Sequence, residues 1–184
     1  GNASSVHSVG RRMRAMIEDA RERIAGAMDA SAENVVFTSG ATEALHLVLD
    51  SFVAHAEQVR RREPIHTDDL DALDPLQPAS IVVAECEHDA LFEDGKHRFM
   101  LRAPLLPSGI VDLDYLDGVL RKAEKPTLLA VQLANNETGV IQPVAKVAAL
   151  CREHGALLLV DAAQAFGRIP VSIADLDATY LVIS

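Results

Sequence analysis

Residues 156–167 read ALLLVDAAQAFG. Leu157, Leu158, Leu159 and Val160 run without a break into a carboxylate, Asp161, and an amide follows at Gln164. A short, continuous apolar run reads as a strand buried on both faces, as in a parallel sheet covered by helices. Ending such a strand on a carboxylate is expensive unless the charge is met, and no basic residue adjoins Asp161 in sequence. Either a loop begins there, or the strand end serves a ligand that wants an anion and a hydrogen-bonding side chain.

Working outward, the same pattern recurs. SVGRRMRAMIEDARERIAGAMDA (8–30) carries Met13, Ile17, Ile24 and Met28 at near-helical spacing on a charged background. NVVFTS (34–39) reads as a short β-branched strand, and GATEALHLVLDSFVAHAEQV (40–59) as the helix after it. The charged stretch RRREPIHTDDLDALDPLQP (60–78) holds three prolines and is expected to be a surface insertion. SIVVAE (80–85) is a strand, EHDALFEDG (87–95) a short helix and HRFMLRAPL (97–105) a further strand. DLDYLDGVLRKA (112–123) is a helix opened by Asp112, and TLLAVQLA (127–134) a strand. VAKVAALCREHG (144–155) is a helix stopped by Gly155, and ALLLVD (156–161) and ATYLVIS (178–184) are strands. Apolar strands alternating with amphipathic helices predict an α/β fold of three αβα layers around a mostly parallel sheet.

With 184 residues the chain suffices for one domain with a substantial core. No apolar run approaches the roughly 20 residues of a membrane span. The first residues, GNASSVHSVGRRMR, lack the apolar centre of a secretory signal, so a cytoplasmic location is expected, with no membrane partner. A formal net charge of −10 argues against nucleic acid as a partner, since phosphate backbones select basic surfaces. Basic groups such as RRMR (11–14) and RRR (60–62) read as solvated faces. Two isolated cysteines, Cys86 and Cys151, give neither a disulfide framework nor a paired zinc motif and read as buried thiols.

In open α/β sheets ligands collect beyond the carboxyl ends of the strands. The polar residues of this chain gather there: TSGATEA (38–44), ECEHDA (85–90), ANNETGV (134–140), DAAQ (161–164) and Ser184. Ser39, Gly40 and Thr42 stand where a strand turns into a helix, a natural cradle for phosphate, or else an ordinary cap by Ser39. Cys86, Glu87 and His88 lack a second ligand cluster at metal spacing, so no metal is expected. His88 could instead lie on a planar ligand or move a proton. The amide pair Asn135 and Asn136 is either a plain turn or aims one amide at a ligand oxygen. A protonated ring nitrogen for Asp161, an oxyanion for Gln164 and an Asn, a phosphate for the helix start and a ring for His88 describe pyridoxal 5′-phosphate. Spacing alone leaves this as one ligand among several.

Five ordered stretches, GNASSVHSVG, VVFTSGATEA, EHDA, NNETGVIQPV and VDAAQAFGRIPV, resemble the class V aminotransferases, and within them the cysteine desulfurases. The resemblance runs nearly end to end and implies the large domain of the fold type I pyridoxal-phosphate transferases, incomplete in these 184 residues. It further implies that Ala41 and Thr42 bind the cofactor phosphate with Ser184, and that His88 stacks on the ring and moves protons. By the same resemblance Asn136 and Gln164 hold the ring's phenolate oxygen, and Asp161 pairs with the pyridine nitrogen.

The reaction it implies takes sulfur from L-cysteine, giving alanine and an enzyme persulfide for a sulfur-acceptor or scaffold protein of iron–sulfur assembly. A homodimer is implied as well. In the family the cofactor-linking lysine lies three residues after the serine matched by Ser184, and the nucleophilic cysteine on a later loop. Lys96, Lys122, Lys125, Lys146, Cys86 and Cys151 match neither, so the 184 residues alone are expected to be inactive. Ala3 and the ALH of 44–46 depart from residues frequent in the family. The rival readings are a class V aminotransferase or a selenocysteine lyase on the same fold, and a non-catalytic nucleotide-binding or interaction module.

Overall fold

The computed structural model describes residues 7–62, 80–92, 100–123 and 125–184. In chain order the elements are α1 (Ser8–Ala27), α2 (Ala41–Arg62), β1 (Ser80–Ala84), β2 (Met100–Ala103), α3 (Leu113–Lys122), β3 (Thr127–Gln132), α4 (Val144–His154), β4 (Leu157–Asp161), α5 (Ile173–Leu176) and β5 (Tyr180–Val182). Single 3₁₀ turns lie at Ala32–Asn34 and Asp89–Leu91. The five strands form one sheet in the order β2-β1-β3-β4-β5, every described pair parallel. The register sets Gln132 beside Asp161 and Asp161 beside Val182, so the polar ends of the central strands fall in one row.

Successive strand residues face opposite sides of the sheet, and here both sides are apolar, which is why the sequence shows runs rather than alternation. On one side Leu45, Leu49, Phe52 and Ala56 of α2 pack against Ile81, Val83, Leu128, Ala130 and Leu159. On the other, Leu116 and Leu120 of α3 and Val147, Ala148 and Cys151 of α4 pack against Val82, Leu129, Val131, Leu158 and Val160. The expected three layers are therefore present: helix, sheet, helix. Asp112 opens α3 by accepting the N–H groups of Asp114 and Tyr115 on Oδ1, both at 3.0 Å. Gly155 ends α4 in the left-handed region, at φ +62°, which a side chain would disfavour.

The structure corrects three sequence expectations. NVVFTS is no strand: residues 35–38 follow a 3₁₀ turn and pair with no strand among the described residues. Val36 is 68% and Phe37 46% exposed, so β-branched propensity found no neighbouring edge to bond. Instead the Arg21 side chain donates to the Val35 carbonyl and lies over the Phe37 ring, 4.9 Å from its centroid. EHDALFEDG shrinks to the turn Asp89–Leu91, with 93–95 outside the described residues. Of HRFMLRAPL, only Met100–Ala103 is strand, and 97–99 are likewise outside. The insertion expected at 60–78 begins inside α2, whose last residues are 60–62, and 63–78 lie outside the described residues.

Leu129, at 0% exposure in the sheet's centre, is expected to carry the fold. Leu129→Ala should destabilise the intact protein by about 2–5 kcal/mol in chemical denaturation. Leu47→Ala, on the exposed flank of α2 at 46%, should stay within about 0.5 kcal/mol of wild type.

Candidate functional site

Beyond the carboxyl ends of the strands lies a pocket of about 860 Å³, walled by the start of α2, the turn after β1, the loops after β3 and β4, and the end of β5. All seven residues singled out from the sequence, Ala41, Thr42, His88, Asn136, Asp161, Gln164 and Ser184, line it. They come from five separate segments, brought to one edge because the strands are parallel.

At the start of α2 the cap position belongs to Gly40 rather than Ser39: the Gly40 carbonyl accepts the first helical bond, from Ala44 N–H at 3.1 Å. The Ser39 N–H donates to Glu43 Oε2 at 2.5 Å, and Ser39 holds the Glu43 carboxyl below its ordinary pKa. The side-chain hydrogen bond with Ser39 is the larger cause and the backbone bond the second. A Cβ added at Gly40 would meet no atom within 4 Å. This end of α2 therefore leaves open space beside helix N–H groups, suited to an anion.

His88 is the N-cap of the 3₁₀ turn, and its Nδ1 accepts the Ala90 N–H at 3.1 Å. In the neutral ring this assigns the proton to Nε2, the nitrogen left for the pocket. The turn is tied to α2 by His46, whose Nε2 donates to the Ala90 carbonyl at 2.7 Å.

The two adjacent amides divide their labour. Asn135 Oδ1 accepts the N–H groups of Glu137 (3.0 Å) and Thr138 (2.8 Å) and the Thr138 hydroxyl (3.0 Å), while its Nδ2 donates to the Cys86 carbonyl (3.2 Å). It builds the turn, which Gly139 completes at φ +72°. That leaves Asn136 on the pocket wall. Gln142, 3% exposed, ties this loop to its neighbour by donating to the Gly109 carbonyl (2.8 Å) and accepting the Val111 N–H (2.9 Å).

Asp161 is 8% exposed. Its Oδ1 accepts the Ala163 N–H at 2.9 Å, the ordinary use of an aspartate at a strand end. Burial lifts its carboxyl pKa above the usual carboxylate range, opposed by the Ala163 bond and by the nearness of His88. No Lys or Arg among the described residues forms an ion pair with it. A buried anion facing a cavity without a protein cation can hold a cationic ligand group there. Gln164 and Ser184 are exposed at the rim.

Among the pocket residues that sequence reasoning passed over are Gln132, Glu43, Phe166 and Arg168. Gln132 ends an apolar strand as Asp161 does, and that signal could have found it. Its side-chain amide donates to the Cys86 carbonyl. Arg168 Nη1 donates to the Gln164 carbonyl at 3.0 Å, and nothing in linear spacing marks it. Cys151 is buried as expected, but Cys86 is only half-buried. Desolvation raises both thiols, Cys151 to about 12, so both stay protonated and poorly nucleophilic near neutral pH. Asp117, Glu153 and His154 could group around a metal, outside this pocket. There His154 Nε2 already bonds Asp117 Oδ1 at 2.7 Å, and Arg121 pairs with the same carboxylate at 2.6 Å.

The model of the family described as aminotransferase class-V matches residues 1–184. Cysteine desulfurase IscS of Ehrlichia chaffeensis is 34% identical over 183 residues, covering 98% of this chain and 40% of that protein. A probable mitochondrial cysteine desulfurase of Dictyostelium discoideum is 28% identical, covering 98% and 37%. Among solved structures, a NifS-like protein from Rickettsia africae superposes with a TM-score of 0.83 at 26% identity, covering 100% of this chain and 46% of that one. The chain thus spans less than half the length of each of these relatives.

Two outcomes are expected from this geometry. Asn135→Ala should cost about 0.5–1.5 kcal/mol in thermal or chemical unfolding, because the part-buried Cys86 carbonyl loses a donor and the turn loses its shared acceptor, whereas Asn136→Ala should leave stability nearly unchanged. Asp161→Asn keeps an acceptor for the Ala163 N–H and removes a charge that burial disfavours. Because the folded pKa is raised, the charge costs stability only where the carboxyl is ionised. The thermal midpoint of the ligand-free variant should therefore exceed wild type at neutral pH, and the difference should vanish as pH falls below about 4.

Proposed function

Because the chain belongs to the class-V aminotransferase family, we propose that it forms the cofactor-binding part of a pyridoxal-5′-phosphate-dependent cysteine desulfurase. The observation that carries this reading is Asp161, a buried carboxylate facing the pocket with no protein cation paired to it among the described residues. The cysteine desulfurases among the similar proteins support it, as do the NifS-like structures.

The residues present fit the cofactor in size and chemistry. The start of α2, through Ala41 and Thr42 and the open space at Gly40, would hold its phosphate together with Ser184. Asp161 would keep the pyridine nitrogen protonated, and Asn136 and Gln164 would take the phenolate oxygen. When bound, the cofactor supplies an electron-withdrawing ring that stabilises negative charge at the substrate α-carbon. His88 Nε2 would carry a proton to or from the substrate, and the Ala90 N–H on Nδ1 would hold the imidazole in position for it. The substrate in this reading is L-cysteine and the products are alanine and sulfur passed to an acceptor or scaffold protein. The family resemblance supports a homodimer as the working form.

The test is to give the intact protein the cofactor and L-cysteine and to measure alanine and sulfide together with the cofactor's absorbance. Asp161→Ala should lose both turnover and bound cofactor. His88→Gln should keep the absorbance and lower turnover by about 10²–10⁴-fold. Transfer of an amino group to a 2-oxo acid without alanine from cysteine would instead identify an aminotransferase. A marked preference for selenocysteine would identify a lyase.

A further inference from the structure

Beneath the pocket, and not on its wall, sits a second carboxyl that the reading above does not use. Glu87 is 7% exposed, on the turn between β1 and His88. Its Oε1 accepts the backbone N–H of Gln132, the residue in register beside Asp161. Its Oε2 is buried and has no hydrogen-bond partner among the described residues. Glu87 follows β1 and Asp161 ends β4, the two strands that flank β3, and the two acids, both out of water, repel one another when both are ionised.

The geometry points to Glu87 as the neutral member of a carboxyl pair with Asp161, a positioning residue whose retained proton leaves the pair's single negative charge on Asp161, under the pocket. The division follows from what each acid is given. Asp161 has a backbone N–H on one oxygen, His88 nearby and an opening to the pocket. Glu87 has one N–H and an orphaned oxygen, and leaving a charged atom buried without a partner costs more than leaving a neutral hydroxyl so.

Among the described residues, the other titratable groups around Glu87 offer no compensating cation. Cys86 and His88 flank it on its own turn, and His46 from α2 is spent on the Ala90 carbonyl. Arg102 of β2 lies over the Phe92 ring, 4.1 Å from its centroid. Desolvation, followed by the Asp161 charge, pushes the Glu87 carboxyl up to about 8, with the Gln132 N–H pulling the other way.

Two carboxylates would place a double charge below a ligand that offers a single positive nitrogen, and one carboxylate matches it. That consequence rests on the cofactor reading, but the protonation itself does not, and it is tested without cofactor. Infrared spectroscopy of the intact, cofactor-free protein should show the carbonyl stretch of a protonated carboxylic acid at neutral pH, disappearing with a midpoint near about 8.

Glu87→Gln, which keeps the acceptor for the Gln132 N–H, should lack the band. Asp161→Asn should keep it and move its midpoint to lower pH, because the repelling charge is gone. The folded pKa lies above the ordinary value of 4.5, so this proton favours the folded state at low pH. The wild-type thermal midpoint should therefore fall more steeply as pH rises from about 4.5 to about 8 than that of Glu87→Gln, which retains only the part of the decline due to Asp161. Absence of the band in wild type at neutral pH overturns the proposal, as does a band lost in Asp161→Asn and kept in Glu87→Gln. Neither result bears on whether the protein takes up pyridoxal phosphate, which the cofactor's own absorbance reports.

Discussion

The charge of Asp161 sits at the end of a strand whose other residues are all apolar, and much of the site can be understood as an answer to that placement. A parallel sheet covered by helices on both faces has one edge where the carboxyl ends of its strands open together. Asp161 lies at that edge between Gln132 and Val182, too buried for water to solvate freely and with no Lys or Arg paired to it among the described residues. Only a backbone N–H and the neighbouring His88 favour its ionised form. Such a site is suited to a cationic group of a ligand, which would complete an electrostatic balance that the described residues leave open.

Around this point the supporting residues do quiet structural work. Asn135 holds the turn that presents Asn136, His46 holds the turn that presents His88, and Gln142 joins the two loops beside them. None of the three lines the pocket, and each is fixed by bonds to backbone groups. Placing ligand-facing side chains on backbone braced in this way keeps them close to their working positions before any ligand arrives.

The central strands were legible from sequence because burial on both faces leaves an uninterrupted apolar run, as in LLLV before Asp161. The helices were legible because their charged faces alternate with core residues such as Leu45, Leu49 and Phe52. The site was legible because its residues follow strands, so the topological rule for α/β sheets reaches them without coordinates. What spacing could not reveal was long-range bonding. The strand expected at NVVFTS depended on a neighbouring edge that the described residues do not supply. The separate roles of Asn135 and Asn136 depend on a carbonyl about fifty residues away, at Cys86, and the burial of Glu87 depends on the Gln132 amide. Arg168 reaches the wall only through the turn that follows β4.

The protonated state of the two thiols has a bearing on how they meet an electrophile. Desolvation raises the pKa of both Cys86 and Cys151, so neither presents an appreciable thiolate near neutral pH. An alkylating reagent applied near neutrality should therefore react slowly with both, and more slowly with buried Cys151 than with half-buried Cys86.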